Sequence, residues 1–207
     1  MFYFVKTPWL LKKLYPECEW YINSGEKNIY LTFDDGPHSE ATPFVLNELK
    51  KHHAKATFFC IGKNVKENFE IYRQIISDGH KPGNHTYNHI NGWKTSDREY
   101  LDDVRMAANI IDSNLFRPPY GRITKFQIKA LKGEKLNLKT IMWTVLSGDF
   151  DEKVSPGNCY LNVIKNTTPG SIIVFHDSLK ALPRLQHTLP LILEYFSKKG
   201  FQFKVIS

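Results

Sequence analysis

Short apolar runs that suit buried strands alternate with helical patterns along most of the chain, and this alternation is what most constrains the fold. Strands separated by helix-length segments are typical of a parallel sheet with helical crossovers. About seven strand-like runs occur: Asn28 to Phe33, Ala56 to Ile61, His80 to Asn84, Leu115 to Arg117, Leu138 to Val145, Ser171 to Phe175 and Phe201 to Ile206. The pattern predicts an α/β fold with about seven parallel strands, closed as a barrel or open and doubly wound.

Helix signals lie between most of these runs. Pro43 suits the first turn of a helix that ends near His52, and Ser96 to Glu99 has capping-box spacing and begins a helix that continues through Ile111. The remaining helical patterns are Val65 to Ile76, Lys125 to Leu131, Asn158 to Lys165 and Leu185 to Lys198. Each of them can join two parallel strands.

Length and composition indicate one domain. The chain has 207 residues, 42% of them hydrophobic and 24% charged, and no run approaches the roughly 20 apolar residues of a membrane span. We therefore predict a single domain over residues 1–207, with residues 1–27 as an N-terminal extension packed on it. Lys6 and Pro8 interrupt the first apolar stretches, which are too short for a signal-peptide core. The sequence as written predicts a cytoplasmic protein, and export only if the start is assigned wrongly.

Charge and cysteine content exclude two classes. The net charge of +7 comes from lysines spread over presumed helix faces and ends, and no nucleic-acid-binding motif accompanies them, so no nucleic-acid partner is predicted. The three cysteines, Cys18, Cys60 and Cys159, are widely spaced without a CxxC pair, which is not a disulfide framework.

Two adjacent aspartates, Asp34 and Asp35, end the first apolar run before Gly36 and Pro37 turn the chain away. Keeping both carboxylates ionised at the rim of a core is costly unless a cation neutralises one of them. The pair therefore predicts a metal ion, an arginine, or both as its partner.

His85 and His89 are candidate metal ligands. Their spacing of four residues puts both imidazoles on one face if the segment is helical or tightly turned. Two neutral imidazoles and one carboxylate make a three-ligand site with open positions for water and substrate, as in catalytic zinc centres. Spacing alone favours an ordinary surface helix face, and the upstream acidic pair reverses that preference.

Other polar residues also follow apolar runs directly, namely Arg117, Asp149 and His176. Taken singly, they suit a surface arginine in a proline-rich loop, a turn or cap aspartate and a satisfied core histidine. Barrels place catalytic groups at the carboxyl ends of several strands, whereas an open sheet gathers ligands at a switch point. Several converging polar sites favour a TIM-barrel-like fold.

Taken in order, five segments resemble the five motifs of the polysaccharide deacetylases, also called the NodB-homology domain or carbohydrate esterase family 4. They are Thr32 to Pro37, His85 to His89, Arg117 to Gly121, Trp143 to Phe150 and Val174 to His176. The resemblance covers roughly residues 28–203. It implies a distorted (β/α) barrel and metal-dependent removal of N-acetyl groups from an acetylated amino-sugar glycan, such as an N-acetylglucosamine-containing poly- or oligosaccharide.

The resemblance also assigns roles position by position. It implies Asp35, His85 and His89 as ligands of a divalent metal ion, with zinc favoured, Asp34 as the general base and His176 as the general acid. The bracing groups, the oxyanion donor and the pocket walls follow from the same correspondence: Arg117 and Asp149 as braces, the backbone N–H of Tyr120 as oxyanion donor, and Pro118, Phe150 and Val174 in the substrate pocket. Which of the two braces supports the base and which supports the acid stays open.

Two other functions stay open on the sequence. One is an amidase of the same family that acts on a small amide or a lipid-linked amino sugar, and the other is a catalytically silent carbohydrate-binding domain. The fourth motif carries Thr144 and Leu146 where the family often has additional aspartates, a departure that bears on the tuning of the acid. Every position to which the resemblance assigns a metal or catalytic role nevertheless carries a residue of the required type, which favours an active hydrolase.

Overall fold

The computed structural model describes residues 3–133 and 136–207, which build one parallel sheet with helices around it. The strands are β1 (Asn28–Asp34), β2 (Ala56–Cys60), β3 (Lys81–Asn84), β4 (Leu115–Phe116), β5 (Lys139–Thr140), β6 (Val145–Leu146), β7 (Ile172–His176) and β8 (Gln202–Phe203). Seven strands follow the order β5-β4-β3-β2-β1-β7-β6, and β8 pairs with β1. The pairings between these strands are parallel, which confirms the predicted α/β fold.

Eight helices and one 3₁₀ turn at Pro119–Gly121 connect the strands of the described residues. The helices are α1 (Trp9–Leu14), α2 (Ala41–Lys51), α3 (Gly62–Glu67), α4 (Phe69–Ser77), α5 (Asp97–Ala108), α6 (Lys125–Lys132), α7 (Pro156–Asn166) and α8 (Leu182–Lys198). Side chains cap several of them, and at α6 Thr124 and Gln127 form a reciprocal capping box. Within the described ranges, no helix has the length and apolarity that crossing a bilayer requires.

The helix predicted over residues 65–76 is two helices, because the chain breaks at Asn68. This residue leaves helical geometry with a φ of −125° and a ψ of 47°. Its side-chain amide donates hydrogen bonds to the carbonyl oxygens of Pro37 and Asn64, both at 3.2 Å. The contact with Pro37 ties the break to the turn that follows β1.

The single strand predicted over residues 138–145 is also wrong, since the structure has β5 and β6 with an irregular segment between them. The carbonyl oxygens of Ile141 and Met142 accept hydrogen bonds from the Arg117 side chain instead of from a neighbouring strand, at 3.2 and 3.1 Å. The buried Arg117 side chain therefore replaces part of the backbone hydrogen bonding that would join this segment to a neighbouring strand.

β1 is buried along its whole length, as expected of a central strand in a parallel sheet. Alternate side chains point to opposite faces. Ile29 and Leu31 pack in the large cluster that the helices cover. Thr32 and Asp34 share the other face, where both contact Arg117. The strand period of two thus brings a hydroxyl and a carboxylate to one buried cation.

The N-terminal segment, residues 3–27, runs along both end strands of the seven-strand path. Val5 accepts a backbone hydrogen bond from Leu146 in β6 at 2.8 Å, and Glu19 donates one to Thr140 in β5 at 2.9 Å. These strands are not hydrogen-bonded to each other in the sheet order. The N-terminal segment therefore spans the open seam of the sheet.

Candidate active site

The carboxyl ends of the strands meet around one cavity of about 680 Å³. Asp34 ends β1 and His176 ends β7, and the two are partners in the register of these strands. Most of the residues assigned from the sequence line this cavity: Asp34, Asp35, His85, His89, Pro118, Tyr120, Phe150, Val174 and His176. The other two, Arg117 and Asp149, are fully buried behind it.

Arg117 holds Asp34. The Arg117 Nη1 donates to Asp34 Oδ1 at 2.8 Å and to Thr32 Oγ1 at 2.6 Å. Its guanidinium also lies over the ring of Phe59, 4.1 Å from the centroid. An arginine fixed on several sides holds a carboxylate in one orientation. Of the two residues predicted as braces, Arg117 is therefore the one in contact with Asp34.

Asp149 holds His176. Asp149 Oδ1 lies 2.8 Å from His176 Nδ1, and its Oδ2 accepts from the backbone N–H of the same histidine at 2.7 Å. Ser147 Oγ donates to Asp149 Oδ1 at 2.9 Å. Burial alone would lower the pKa of His176, but the charge and hydrogen bond of Asp149, with the charges of Asp35 and Asp34, raise that pKa to about 9. The imidazole is therefore held as a cation at neutral pH.

Asp35, His85 and His89 form the cluster that can hold a metal ion. One ligand atom from each lies within 4.8 Å of the others. Asp35 Oδ1 is 3.2 Å from His89 Nε2 and 3.7 Å from His85 Nε2. Burial alone would raise the pKa of Asp35, but a hydrogen bond with His89 and the charges of nearby histidines lower it well below its usual range. One ionised carboxylate and two imidazoles fit a divalent transition metal.

The protonation of His85 supports this fit. His85 Nδ1 lies 2.8 Å from the carbonyl oxygen of Arg117, which can only accept, so the proton is on Nδ1 and the lone pair is on Nε2. Burial, as the largest influence, lowers the pKa of His85 to about 4. The ring is therefore neutral and presents Nε2 toward Asp35.

The segment between the two histidines is a loop rather than a helix, and a buried aspartate of α5 shapes it. Asp103 Oδ1 accepts from the backbone N–H groups of Tyr87 and Asn88 at 2.7 and 3.0 Å, and its Oδ2 accepts from the Asn88 side chain at 2.6 Å. His89 itself has a φ of 57°. Sequence reasoning missed Asp103, although an acid on the buried face of α5, next to Val104, was a usable signal.

Replacing Asp103 with alanine is expected to weaken the affinity of the Asp35, His85 and His89 cluster for added divalent metal, tested with zinc, by about 10- to 100-fold, because the loop that carries His89 loses three hydrogen bonds. Competition with a chromophoric chelator measures the dissociation constant. Asp102→Ala is the matched control, since Asp102 lies on the same helix but is exposed and paired with Arg105. Equal zinc affinity in the two variants would contradict this positioning role.

Asp177 is a second residue that sequence reasoning missed, and it fixes the turn after the two aspartates. Its Oδ1 accepts from the backbone N–H of Gly36 at 3.0 Å, and its Oδ2 accepts from Thr42 Oγ1 at 2.6 Å. A Cβ at Gly36 would lie 2.0 Å from Asp177 Oδ2, so only glycine allows this approach. Its position directly after His176 is the sequence signal that could have identified Asp177.

Aromatic and apolar side chains wall the cavity beside the acid. Phe150 contacts His176 edge to face, with ring centroids 5.1 Å apart. Across the cavity, Tyr120 has a φ of 59°, and its ring centroid is 4.7 Å from that of His89. Pro118 and Val174 complete this part of the lining. The arrangement forms a small apolar recess next to charged groups.

Fold and site together define a class of protein: an α/β protein with a parallel sheet whose strand ends bring carboxylates and imidazoles to one cavity. The family model for polysaccharide deacetylase matches residues 22–139. A peptidoglycan-N-acetylglucosamine deacetylase of Bacillus cereus is 33% identical over 207 residues, covering 96% of each chain. A chitooligosaccharide deacetylase of Azorhizobium caulinodans is 36% identical over 163 residues, covering 75% of this chain and 76% of that protein.

Solved structures agree with the sequence comparison. The crystal structure of a peptidoglycan N-acetylglucosamine deacetylase in complex with 4-naphthalen-1-yl-N-oxidanyl-benzamide aligns with a TM-score of 0.87 at 32% identity, covering 97% of this chain and 95% of that one. The chain belongs to the polysaccharide deacetylase family and is a hydrolase of that family. The predicted distorted (β/α) barrel and the resemblance noted in the sequence are thereby confirmed.

Proposed function

We propose that this chain is a metal-dependent hydrolase that removes N-acetyl groups from N-acetylglucosamine-containing poly- or oligosaccharides. The observation that carries the proposal is that the two adjacent aspartates have different neighbours. Asp34 is paired with Arg117, whereas Asp35 faces His85 and His89. The names of the relatives, which specify peptidoglycan and chitooligosaccharide deacetylases, support the substrate class.

Asp35, His85 and His89 hold the metal ion in this proposal, and their donor set favours zinc. When bound, such an ion polarises a carbonyl group and lowers the pKa of a coordinated water. The hydrogen bond between His85 and Arg117 keeps one ligand in the tautomer that this role needs. The same Arg117 thus supports a ligand with its backbone and the base with its side chain.

Asp34 acts as the general base. Its carboxylate lines the cavity and takes the proton of the attacking water as the water oxygen bonds to the amide carbon. Arg117 keeps this carboxylate in one orientation. The backbone N–H of Tyr120 donates to the oxygen that becomes negatively charged, and Phe150 and Val174 enclose the acetyl methyl group.

His176 acts as the general acid. An amine leaves poorly unless its nitrogen is protonated as the C–N bond breaks, and His176 provides that proton. Asp149 keeps the imidazole charged and oriented. The products are acetate and the free amino sugar. The complete set of base, acid and ligands favours catalysis over a silent binding role.

The direct test is acetate release from N-acetylated chitooligosaccharides and from peptidoglycan fragments. Zinc-loaded protein should release acetate, and chelated protein should regain this activity when zinc is added back. The same rate before and after complete chelation would contradict the metal-dependent mechanism. Release from neither glycan by zinc-loaded protein would contradict the proposed substrate class.

Asp35→Asn is expected to lose bound zinc and activity together, because an amide oxygen replaces the only carboxylate of the ligand cluster. Metal analysis of the purified variant and an acetate assay measure the two effects on the same sample. Asp78→Asn is the control, since Asp78 lies at the end of α4 and outside the cavity lining. A variant that keeps zinc with full occupancy would remove Asp35 from the ligand set.

The pH dependence follows from the charge state of His176. An acid must be protonated, and the pKa of His176 is raised to about 9, so kcat/KM should fall as the pH rises through about 9. Asp149→Asn removes the charge that raises this pKa, and it should move the alkaline limb down by about one to three pH units. Stopped acetate assays over a pH series measure the limb. An unmoved limb in Asp149→Asn would assign that limb to another group.

A further inference from the structure

The lining of the cavity includes residues beyond those assigned to the acetyl group. Six of them, here called the seam arm, belong to the N-terminal segment or to the chain between β5 and β6 that it covers: Thr7, Leu11, Cys18, Trp20, Met142 and Trp143. None of these residues has a role in the proposed mechanism. The arm lies where the N-terminal segment spans the gap between β5 and β6.

The N-terminal segment connects the seam arm with the walls of the acetyl recess. Leu146 is the register partner of Val174, one of the two walls of the acetyl recess. The other wall, Phe150, contacts Tyr3 of the N-terminal segment, with ring centroids 5.0 Å apart. The carbonyl oxygen of Val5 accepts a hydrogen bond from the backbone N–H of Leu146. An acyl chain too long for the recess therefore contacts the N-terminal segment and the arm.

Two of the polar side chains of the seam arm, Thr7 and Trp20, already donate hydrogen bonds within the protein. Thr7 Oγ1 donates to the carbonyl oxygen of Trp143 at 2.7 Å. Trp20 Nε1 donates to the carbonyl oxygen of Tyr15 at 3.0 Å. Sugar hydroxyls that enter a space lined mainly by apolar side chains lose most of their hydrogen bonds to water, whereas methylene groups gain free energy from the same transfer. The chemistry of the arm therefore fits an alkyl chain better than a second sugar ring.

We infer that the seam arm receives an N-acyl chain longer than acetyl, so that the substrates include amino sugars carrying a short- or medium-chain fatty acyl amide. This inference rests on the proposed function. The reaction is the same hydrolysis: the water oxygen bonds to the acyl carbon, the C–N bond breaks, and the nitrogen takes the proton. The products are the free amine and the corresponding fatty acid carboxylate.

Chain length is the first test. Chitobiose acylated on nitrogen with acetyl, butyryl or hexanoyl groups is hydrolysed in parallel, and the released amine is quantified. Each buried methylene is worth up to about fourfold in kcat/KM. We expect kcat/KM to rise along the series, by about tenfold or more from acetyl to hexanoyl. A fall from acetyl to butyryl would show a closed recess and overturn the inference.

Filling the arm is the second test. Leu11→Trp places a larger side chain in the arm, and Leu10→Trp is the matched control, because Leu10 is a neighbour on α1 that is exposed and outside the lining. Leu11→Trp should lower kcat/KM for the hexanoyl substrate about tenfold or more and change the acetyl value less than twofold. Leu10→Trp should change neither. Equal losses on both substrates in Leu11→Trp would place the sugar in the arm and contradict the assignment.

Binding separates failure of this inference from failure of the proposed function. Isothermal titration calorimetry measures the binding of both acylated chitobioses. Tighter binding of hexanoyl- than acetyl-chitobiose, without hydrolysis of either, would support the arm and refute the deacetylase proposal. Hydrolysis of the acetyl substrate, with equal or weaker binding of the hexanoyl substrate, would support the deacetylase proposal and refute the arm. Neither hydrolysis nor a dependence of binding on chain length would refute both.

Discussion

Asp34→Asn is expected to lower kcat for acetate release by about 10²- to 10⁴-fold, because an amide cannot take the proton of the attacking water. The variant should be less stable than wild type but still fold, since asparagine can accept the hydrogen bond that Arg117 donates at 2.8 Å and Arg117 keeps its bonds to Thr32 and to two carbonyl oxygens. It should also keep its metal, because Asp34 is not a member of the ligand cluster. Initial rates at saturating substrate, with metal content measured on the same preparation, test all three expectations.

Asp102→Asn is the control for this variant, since Asp102 is an exposed aspartate paired with Arg105 on α5. It should keep the wild-type rate. An Asp34→Asn protein with a rate within a few-fold of wild type would mean that another group takes the proton.

Arg117→Met should have the largest effect on stability, with a loss of about 3–5 kcal/mol in the free energy of unfolding. Arg117 is fully buried and Asp34 is 4% exposed, so the substitution leaves a carboxylate without its cation in a core. Arg117 also donates to the carbonyl oxygens of Ile141 and Met142, which then lose a partner. Urea unfolding followed by circular dichroism measures the free energy.

The double variant Arg117→Met with Asp34→Asn distinguishes the ion pair from simple packing. If the uncompensated charge causes most of the loss, the neutral asparagine should restore part of the free energy in the Arg117→Met background. The same substitution should not stabilise the protein that keeps Arg117. Additive effects of the two substitutions would contradict a coupled pair.

Much of the fold follows from local sequence. The largely apolar run of β1 indicates a buried central strand, and Ser96 with Glu99 marks the start of α5, where the Ser96 side chain accepts from the Glu99 N–H. The missed elements depend on distant contacts. β5 and β6 separate because Arg117 takes the carbonyl oxygens between them, and no local pattern in that apolar run shows a partner more than twenty residues away.

The candidate site is likewise partly predictable from local sequence and partly dependent on distant contacts. Residue type and order are sufficient to choose Asp34, Asp35, His85 and His89, because an acidic pair at a strand end requires a cation. The roles assigned to them stay predictions until they are tested. The pairing of Arg117 with Asp34 and of Asp149 with His176 joins residues 83 and 27 positions apart, so it depends on strand order and register.

The seam arm shows a further limit of sequence reasoning. The sequence predicts only that residues 1–27 pack on the domain as an extension. Nothing in the sequence of that segment indicates that Thr7 bonds to Trp143 or that Leu11 lines the active-site cavity. Such contacts depend on the gap between β5 and β6, which exists only in the folded sheet.

Bound zinc and acetate release, measured together on Asp34→Asn and Asp35→Asn, test the central claim most directly. The claim is that adjacent carboxylates have different functions, Asp34 as the base beside Arg117 and Asp35 as a metal ligand beside His85 and His89. It predicts that Asp34→Asn keeps stoichiometric zinc without turnover, while Asp35→Asn loses both. Loss of zinc in both variants, or acetate release by zinc-loaded Asp34→Asn at the wild-type rate, would contradict it.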